Sequence, residues 1–293
     1  MALAEPRGSG PDDPGNAPRK RCHNGRKQAL RVTTVNVNGI RAAVKKGMQE
    51  WVTGNNPDVL LLQEVRAPEE LVEGLLPGDW SVVQQASRAK GRSGVAIAVR
   101  PHRDVTAARL GLEGDNDVDS GRWVEADVTI GSRTVTFVSA YLYSGTATKP
   151  EVMAAKYRHL DMAEDRLGQI ENELLMAGDF NVVRGPKDIK NFKPNHNKTS
   201  GVLDQEMAYL ERWFDTYEDV HRNLVGDVQG PYTWWSQRGK AFDNDAGWRI
   251  DYQMATKALA DTAVSAEVGR ADDYASRWSD HAPLTIDYDV TDF

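Results

Sequence analysis

Residues 57–65 read PDVLLLQEV. Four consecutive apolar residues, Val59 to Leu62, stand between a Pro-Asp turn and the polar pair Gln63 and Glu64. A helix with one wet face would space its apolar positions by three or four residues, and a half-exposed strand would alternate them. A short unbroken run is the pattern of a strand covered on both faces. Cover on both faces implies a layered arrangement of sheet and helix.

The neighbouring stretches extend this reading. LRVTTVNVNGI (30–40) alternates and ends at Asn-Gly, as a strand entering a loop. RAAVKKGMQEWVTGNN (41–56) predicts one helix, KPEVMAAKYRHLDMAEDRLGQIE (149–171) a long one, and VLDQEMAYLERWFDTYEDVHRNL (202–224) a third. WSVVQQAS, GVAIAVR, RWVEADVTI and RTVTFVSAYLY predict further strands between residues 80 and 143. NELLMAGDFNVV (172–183) again runs an apolar strand into an Asn-bearing loop. YTWWSQ, RIDYQMA, ALADTAVSAEV and PLTIDYDV predict the closing strands. Strands dominate and helices interleave, so the fold class is α/β: two packed sheets with helices outside, in one domain over residues 29–293.

Residues 1–28 are rich in Gly, Pro, Arg and Asp and poor in apolar residues, the composition of a disordered tail. This basic arm suits an inert extension or a contact with an anionic partner. Residues 1–31 carry seven Lys/Arg against three Asp/Glu, about +4, so the remainder holds −11 of the net −7 (−7 minus +4). A negative body argues against a protein that grips nucleic acid over its whole surface, and suits a site of carboxylates around a cation. No apolar run is long enough to span a membrane, the N-terminal segment lacks the apolar middle expected of a secretory signal, and the single cysteine, Cys22, allows no internal disulfide. Those features fit a cytoplasmic protein acting as a monomer away from membranes.

Polar residues recur at strand ends: Asn36 and Asn38, Glu64, Tyr141, Asp179 with Asn181, Asp251, and Asp280 with His281. Strands of one sheet end along a common edge, so these groups can converge on one cleft. Singly, each has a structural explanation: turn asparagines before Gly39, a surface carboxylate, a Gly-Asp turn, an Asp–Arg pair, a hydrogen-bonded histidine. Jointly they supply what phosphodiester hydrolysis needs. Glu64 suits a hard divalent cation. Asp179 can take a proton from water, with Asn181 holding that water or a phosphate oxygen. His281, Asn181 and Tyr141 can donate to charge that gathers on the phosphorus oxygens. Asp251 can orient His281 and favour its charged form.

The segments TTVNVNGIRA, LLLQEVRA, GRSGVAIAV, SAYLYSG, MAGDFNVV, YTWW, GWRIDY and SDHAPL stand in the order and approximate spacing of the exonuclease III / abasic-site endonuclease family. That family belongs to the DNase-I-like endonuclease/exonuclease/phosphatase superfamily, and the chain resembles it from about Leu30 to Asp289. The resemblance implies a four-layered α/β sandwich with two mixed sheets face to face. It implies Mg²⁺-dependent cleavage 5′ to abasic sites in double-stranded DNA, with Mn²⁺ as a substitute, and 3′→5′ exonuclease and 3′-phosphatase action on 3′-blocked ends. By resemblance Glu64, Asn38 and Asp280 lie at the metal, with Asn36 in the same cluster. Tyr141, Asp179, Asn181, Asp251 and His281 match the catalytic positions, and Trp234, Trp248 and Ile250 an apolar pocket for a sugar without its base, while Trp235 reads as core. Loops around Arg88–Arg92 and Lys187–Lys198 are candidate phosphate contacts. Tyr143 and Ser144 depart from the Pro-Asn that relatives carry after the tyrosine, and KAFDNDAG (240–247) is acidic where DNA would pass. Alternatives are a phosphodiesterase of the same fold acting on RNA, inositol phosphates or phospholipids, and a non-catalytic DNA-binding relative.

Overall fold

The structure, a computed structural model, describes residues 28–118 and 120–293. The expected tail, residues 1–28, lies outside the described residues except for Gln28. In chain order the strands are β1 (Ala29–Asn36), β2 (Val59–Gln63), β3 (Ser81–Gln85), β4 (Val95–Val99), β5 (Val105–Leu110) and β6 (Trp123–Ile130), then β7 (Arg133–Tyr141), β8 (Glu173–Asp179), β9 (Glu218–Asp219), β10 (Asp251–Ala255), β11 (Ala263–Val268) and β12 (Leu284–Asp289). They form two six-stranded sheets, ordered β11-β12-β1-β2-β4-β3 and β5-β6-β7-β8-β10-β9. In each sheet the two central strands, β1–β2 and β7–β8, run parallel, and every other pairing is antiparallel.

A parallel pair needs a crossover connection. Between β1 and β2 it is made by α1 (Ile40–Val44) and α2 (Met48–Asn55). After α3 (Glu69–Val72), the long α4 (Pro150–Leu167) makes the crossover between β7 and β8. Four further helices follow: α5 (Phe192–Asn195), α6 (Asp204–Thr216), α7 (Val220–Val225) and α8 (Lys257–Ala260).

The β2 run explains the layering. Val59 and Leu61 join the core between the sheets, with Ile97, Phe137 and Leu175, while Leu60 and Leu62 pack outward with Ile40, Met48 and Val52. Successive side chains of a strand point to opposite faces, so an unbroken apolar run serves two cores. β8 repeats the device: Leu175 and Ala177 face the partner sheet, and Leu174 and Met176 face Leu160, Leu210 and Trp213. The four-layered α/β sandwich is therefore observed. The inter-sheet layer also holds polar links: Gln63 Nε2 donates to Ser139 Oγ at 2.9 Å, and Gln253 Nε2 donates to the carbonyls of Val32 (3.0 Å) and Leu284 (3.1 Å).

Several expected elements are divided. The helix over 41–56 breaks at Gly47, whose φ of 103° lies in the left-handed region and starts α2 on a new axis. The helix over 202–224 ends at Thr216 because Tyr217 is extended; Asp219 then caps α7, its Oδ1 accepting from Arg222 N at 3.1 Å. YTWWSQ contributes isolated bridges at Trp234 in place of a strand, and ALADTAVSAEV begins within α8 before it becomes β11. β5 carries no alternating signal, since it is an edge strand with mostly exposed side chains.

Candidate active site

The carboxyl ends of both central parallel pairs meet at one edge of the sandwich. Register aligns Tyr141 with Asp179 across β7–β8, and Asp179 with Asp251 across β8–β10. In the other sheet Asn36 pairs with Gln63, and Glu64 follows immediately. The step from β8 into the site depends on Gly178: its φ is 146°, and a Cβ there would fall onto the carbonyl oxygen of Ala140. Asn38, Glu64 and Asn181 all have φ near +50° (47°, 49° and 52°). Non-glycine residues in that region are uncommon and strained, and they gather where a side chain must be aimed.

Hydrogen bonds knit these residues into one centre. Asn36 Nδ2 donates to Asp179 Oδ2 at 2.9 Å, and the Asn181 amide donates to Asp179 Oδ1 at 2.9 Å. Asn181 Nδ2 donates to the Leu142 carbonyl at 2.9 Å. The imidazole of His281 lies between two carboxylates, with Nδ1 2.9 Å from Asp251 Oδ2 and Nε2 3.7 Å from Asp179 Oδ2. Asn38 Nδ2 donates to Asp280 Oδ1 at 2.8 Å, and Trp234 Nε1 to Asp280 Oδ2 at 3.3 Å. Tyr141 donates its hydroxyl to Glu64 Oε1, which also accepts from Arg66 Nη2 at 3.0 Å.

All twelve expected site residues line one open cavity of about 600 Å³, except Asp251, which stands behind His281. Trp234 and Trp248 meet edge to face with centroids 5.7 Å apart, and Ile250 completes the apolar side of the cavity. Trp235 packs with Tyr232 and Phe242 in a separate core. Of the candidate phosphate loops, Lys198 borders this cavity and Arg92 borders an adjoining one, whereas Lys187 pairs with Asp227 beside a different groove. Tyr143 lines that adjoining cavity and not this one: its hydroxyl donates to Asp117 Oδ2 at 3.0 Å, and its ring lies under Arg122 and against His159 of α4.

Burial and charge set the protonation states. Burial pushes Asp179 up to about 7; His281 and the Asn36 amide pull against that, while Asp251 and Glu64 add to it. Burial disfavours a charged His281, but Asp251 and Asp179 outweigh it and raise the imidazole to about 10. The other Asp251 oxygen, Oδ1, is buried with no hydrogen-bond partner among the described residues, so this carboxylate relies on the imidazolium for its charge balance. Burial raises the Tyr141 phenol further, with Glu64 and Asp179 adding to the shift. For Asp280, burial is outweighed by His281 and Asn38, which hold its carboxyl below the usual range.

Two acidic groupings could hold a cation. Among the described residues, Asp179, Asp251 and His281 place ligand atoms within 4.8 Å of one another. That grouping already contains its cation, since both ring nitrogens face carboxylates and the imidazole stays protonated. Glu64, Asp280 and the Asn38 amide offer oxygen donors on the cavity wall, the set that a hard divalent cation takes.

Residue-by-residue reading of the sequence did not reach three supports. Ser279 Oγ donates to the Asn36 carbonyl at 2.7 Å and accepts from the His281 amide at 3.2 Å, tying β1 to the histidine. Thr233 Oγ1 accepts from the amides of Ile250 (3.2 Å) and Asp251 (3.1 Å). Arg66 pairs with Glu64. Ser279 and Thr233 stand inside the motifs SDHAPL and YTWW, but a hydroxyl that serves a backbone carries no chemical signature of its own.

The Endonuclease/Exonuclease/phosphatase family model matches residues 33–281. An exodeoxyribonuclease of Bacillus subtilis (strain 168) is 28% identical over 268 residues, covering 88% of this chain and 98% of that protein. The DNA repair nuclease APEX1 of Danio rerio is 26% identical, covering 90% of this chain and 83% of that protein. An AP endonuclease from Archaeoglobus fulgidus has a similar structure, with a TM-score of 0.75, 25% identity, and coverage of 89% and 99%.

Proposed function

The chain belongs to the endonuclease/exonuclease/phosphatase family and is a hydrolase of the exonuclease III and AP-endonuclease type, and from that premise we propose that it is a Mg²⁺-dependent DNA-repair nuclease that cuts the phosphodiester 5′ to an abasic site. The observation that carries this reading is the Asp251–His281–Asp179 array, with contacts of 2.9 and 3.7 Å, opening onto a cavity that has carboxylates on one side and indoles on the other. Glu64, Asp280 and Asn38 would hold the ion. Bound there, it supplies positive charge to the phosphate oxygens.

The chain's own residues do the rest. Asp179, ionised and held by Asn36, accepts a proton from the attacking water, and Asn181 holds that water's neighbourhood in place. The 3.7 Å between His281 Nε2 and Asp179 is longer than a hydrogen bond, so the imidazolium is left to donate to a substrate oxygen. Tyr141 keeps its proton and donates across the site. Trp234, Trp248 and Ile250 offer an apolar wall, which suits an extruded sugar whose missing base needs no hydrogen bonds. That wall disfavours inositol phosphates and lipid head groups, which call for cations. The same machinery extends to 3′-end exonuclease and 3′-phosphatase action.

The test is cleavage of a duplex carrying a tetrahydrofuran abasic analogue, beside duplexes with a 3′-phosphate or a plain recessed end, an RNA and an inositol phosphate, with Mg²⁺ or with EDTA. Incision 5′ to the analogue that EDTA abolishes is expected. Nicking that survives EDTA, or preference for RNA or the inositol phosphate, would overturn the assignment.

A further inference from the structure

Lys156 of α4 is fully buried beneath the cleft. Its ammonium has three protons and four acceptors within reach: the Ser144 carbonyl at 3.2 Å, the Asn181 carbonyl at 3.1 Å, Glu206 Oε1 at 2.7 Å and, farthest, Ser200 Oγ at 3.4 Å. Glu206, also fully buried, accepts in turn from the Gly201 amide at 2.5 Å and the Leu203 amide at 3.1 Å. Ser200 Oγ closes the ring, 2.6 Å from the Ser144 carbonyl and 2.7 Å from Glu206 Oε1. The residues so joined belong to two segments that line the cleft, Ser144–Thr148 and Lys198–Ser200, together with Asn181. Space is short around the ring. A Cβ on Gly145 would strike Ser200 Oγ, and one on Gly201 would come within 2.8 Å of the Asn181 carbonyl oxygen.

A buried ion pair is a weak source of stability, because desolvation of both charges offsets their attraction; a well-packed apolar pair often does as well. What an apolar pair cannot do is hold two main-chain carbonyls that belong to different loops. Burial holds the Lys156 ammonium below its usual value, with the Glu206 and Asp179 carboxylates pulling the other way. We infer that Lys156 is a positioning residue for the nuclease reaction: by holding the carbonyls of Ser144 and Asn181 it fixes the loop after β7 against the loop after β8, and with it the placement of Asn181 beside Asp179. This rests on the nuclease reading for its kinetic readout only, since the tethering itself is measurable without substrate.

Two variants separate positioning from stability. Lys156→Met/Glu206→Gln removes both charges at nearly constant volume; its Tm should stay within a few degrees of the parent while kcat on the tetrahydrofuran duplex falls about ten- to a hundredfold with KM little changed, the scale of a small misplacement at a reacting centre. Glu206→Gln alone leaves Lys156 donating to both carbonyls; its Tm should fall, yet kcat should stay within about threefold of the parent. Hydrogen–deuterium exchange of segments 142–148 and 180–184 should speed up in the double variant and not in Glu206→Gln. The reverse order, with kcat tracking Tm, would overturn the assignment, as would unchanged exchange in a folded double variant. A double variant that does not fold would itself show that the pair serves stability and would count against positioning. If the parent protein does not cleave the duplex, the nuclease reading fails while the exchange comparison still decides the tether.

Discussion

At the scale of single residues, the site separates two carboxylates by environment. Asp179 is raised to about 7 and so stands near the working pH of a base, whereas Asp280 is held low and stays an anion. Asp179→Asn is expected to lower kcat by about 10²–10⁴-fold with little change in DNA affinity, because the lost group acts in the chemical step; single-turnover rates beside binding titrations measure both. Protonated Asp179 cannot accept a proton, so activity should rise with pH up to a midpoint at or below about 7, since Glu64 raises this group and a cation on Glu64 would relieve that effect. The limb should be absent from the residual activity of Asp179→Asn. Glu64→Ala should move the Mg²⁺ activation curve to much higher concentration, and an unshifted curve would remove Glu64 from the ligand set. The convergence of these residues was legible because carboxylates, amides and an imidazole recur together at strand ends, although each alone has a structural explanation. Lys156 was not: in the sequence it is one basic residue in a helix rich in charge, and only burial reveals its partners.

At the scale of elements, α4 carries a second buried cation-former one turn beyond Lys156. His159 is 3% exposed, both of its ring nitrogens lack hydrogen-bond partners among the described residues, and burial together with Arg122 lowers it to about 3. The unfolded chain takes up that proton near 6.5, the folded chain only near 3. Unfolding therefore binds a proton between those values, so this contribution is whole above pH 6.5 and drains away as the pH falls toward 3, by an amount on the order of a few kcal/mol. Urea titrations from pH 7 to 4 should show that loss, and His159→Leu should flatten the slope. The same scale holds the misjudged boundaries. The apolar period of 41–56 continues across Gly47, and that of 202–224 across Tyr217, because period reports which side is buried and not whether the axis is continuous. β5 was silent for the converse reason: an edge strand has little to bury.

For the whole molecule, the α/β layering was readable from β2 and β8, whose unbroken apolar runs required two cores. How the sheets are locked in register was not, because it depends on polar residues facing an apolar layer. Gln253 is the clearest: fully buried, it donates to Val32 and Leu284 in the opposite sheet and accepts from the Tyr288 hydroxyl at 2.9 Å. Gln253→Leu should cost roughly 2–4 kcal/mol, since it strands three buried polar groups. The urea midpoint should fall with an unchanged m-value. The strand order has one more effect. β12 inserts between β11 and β1, and His281 is delivered on the approach to it. A chain still emerging from the ribosome thus already carries Glu64, Asp179 and Asp251 but has neither the His281 imidazole nor the strand that pairs with β1, so the four side chains are brought together only once residues 281–289 have been made.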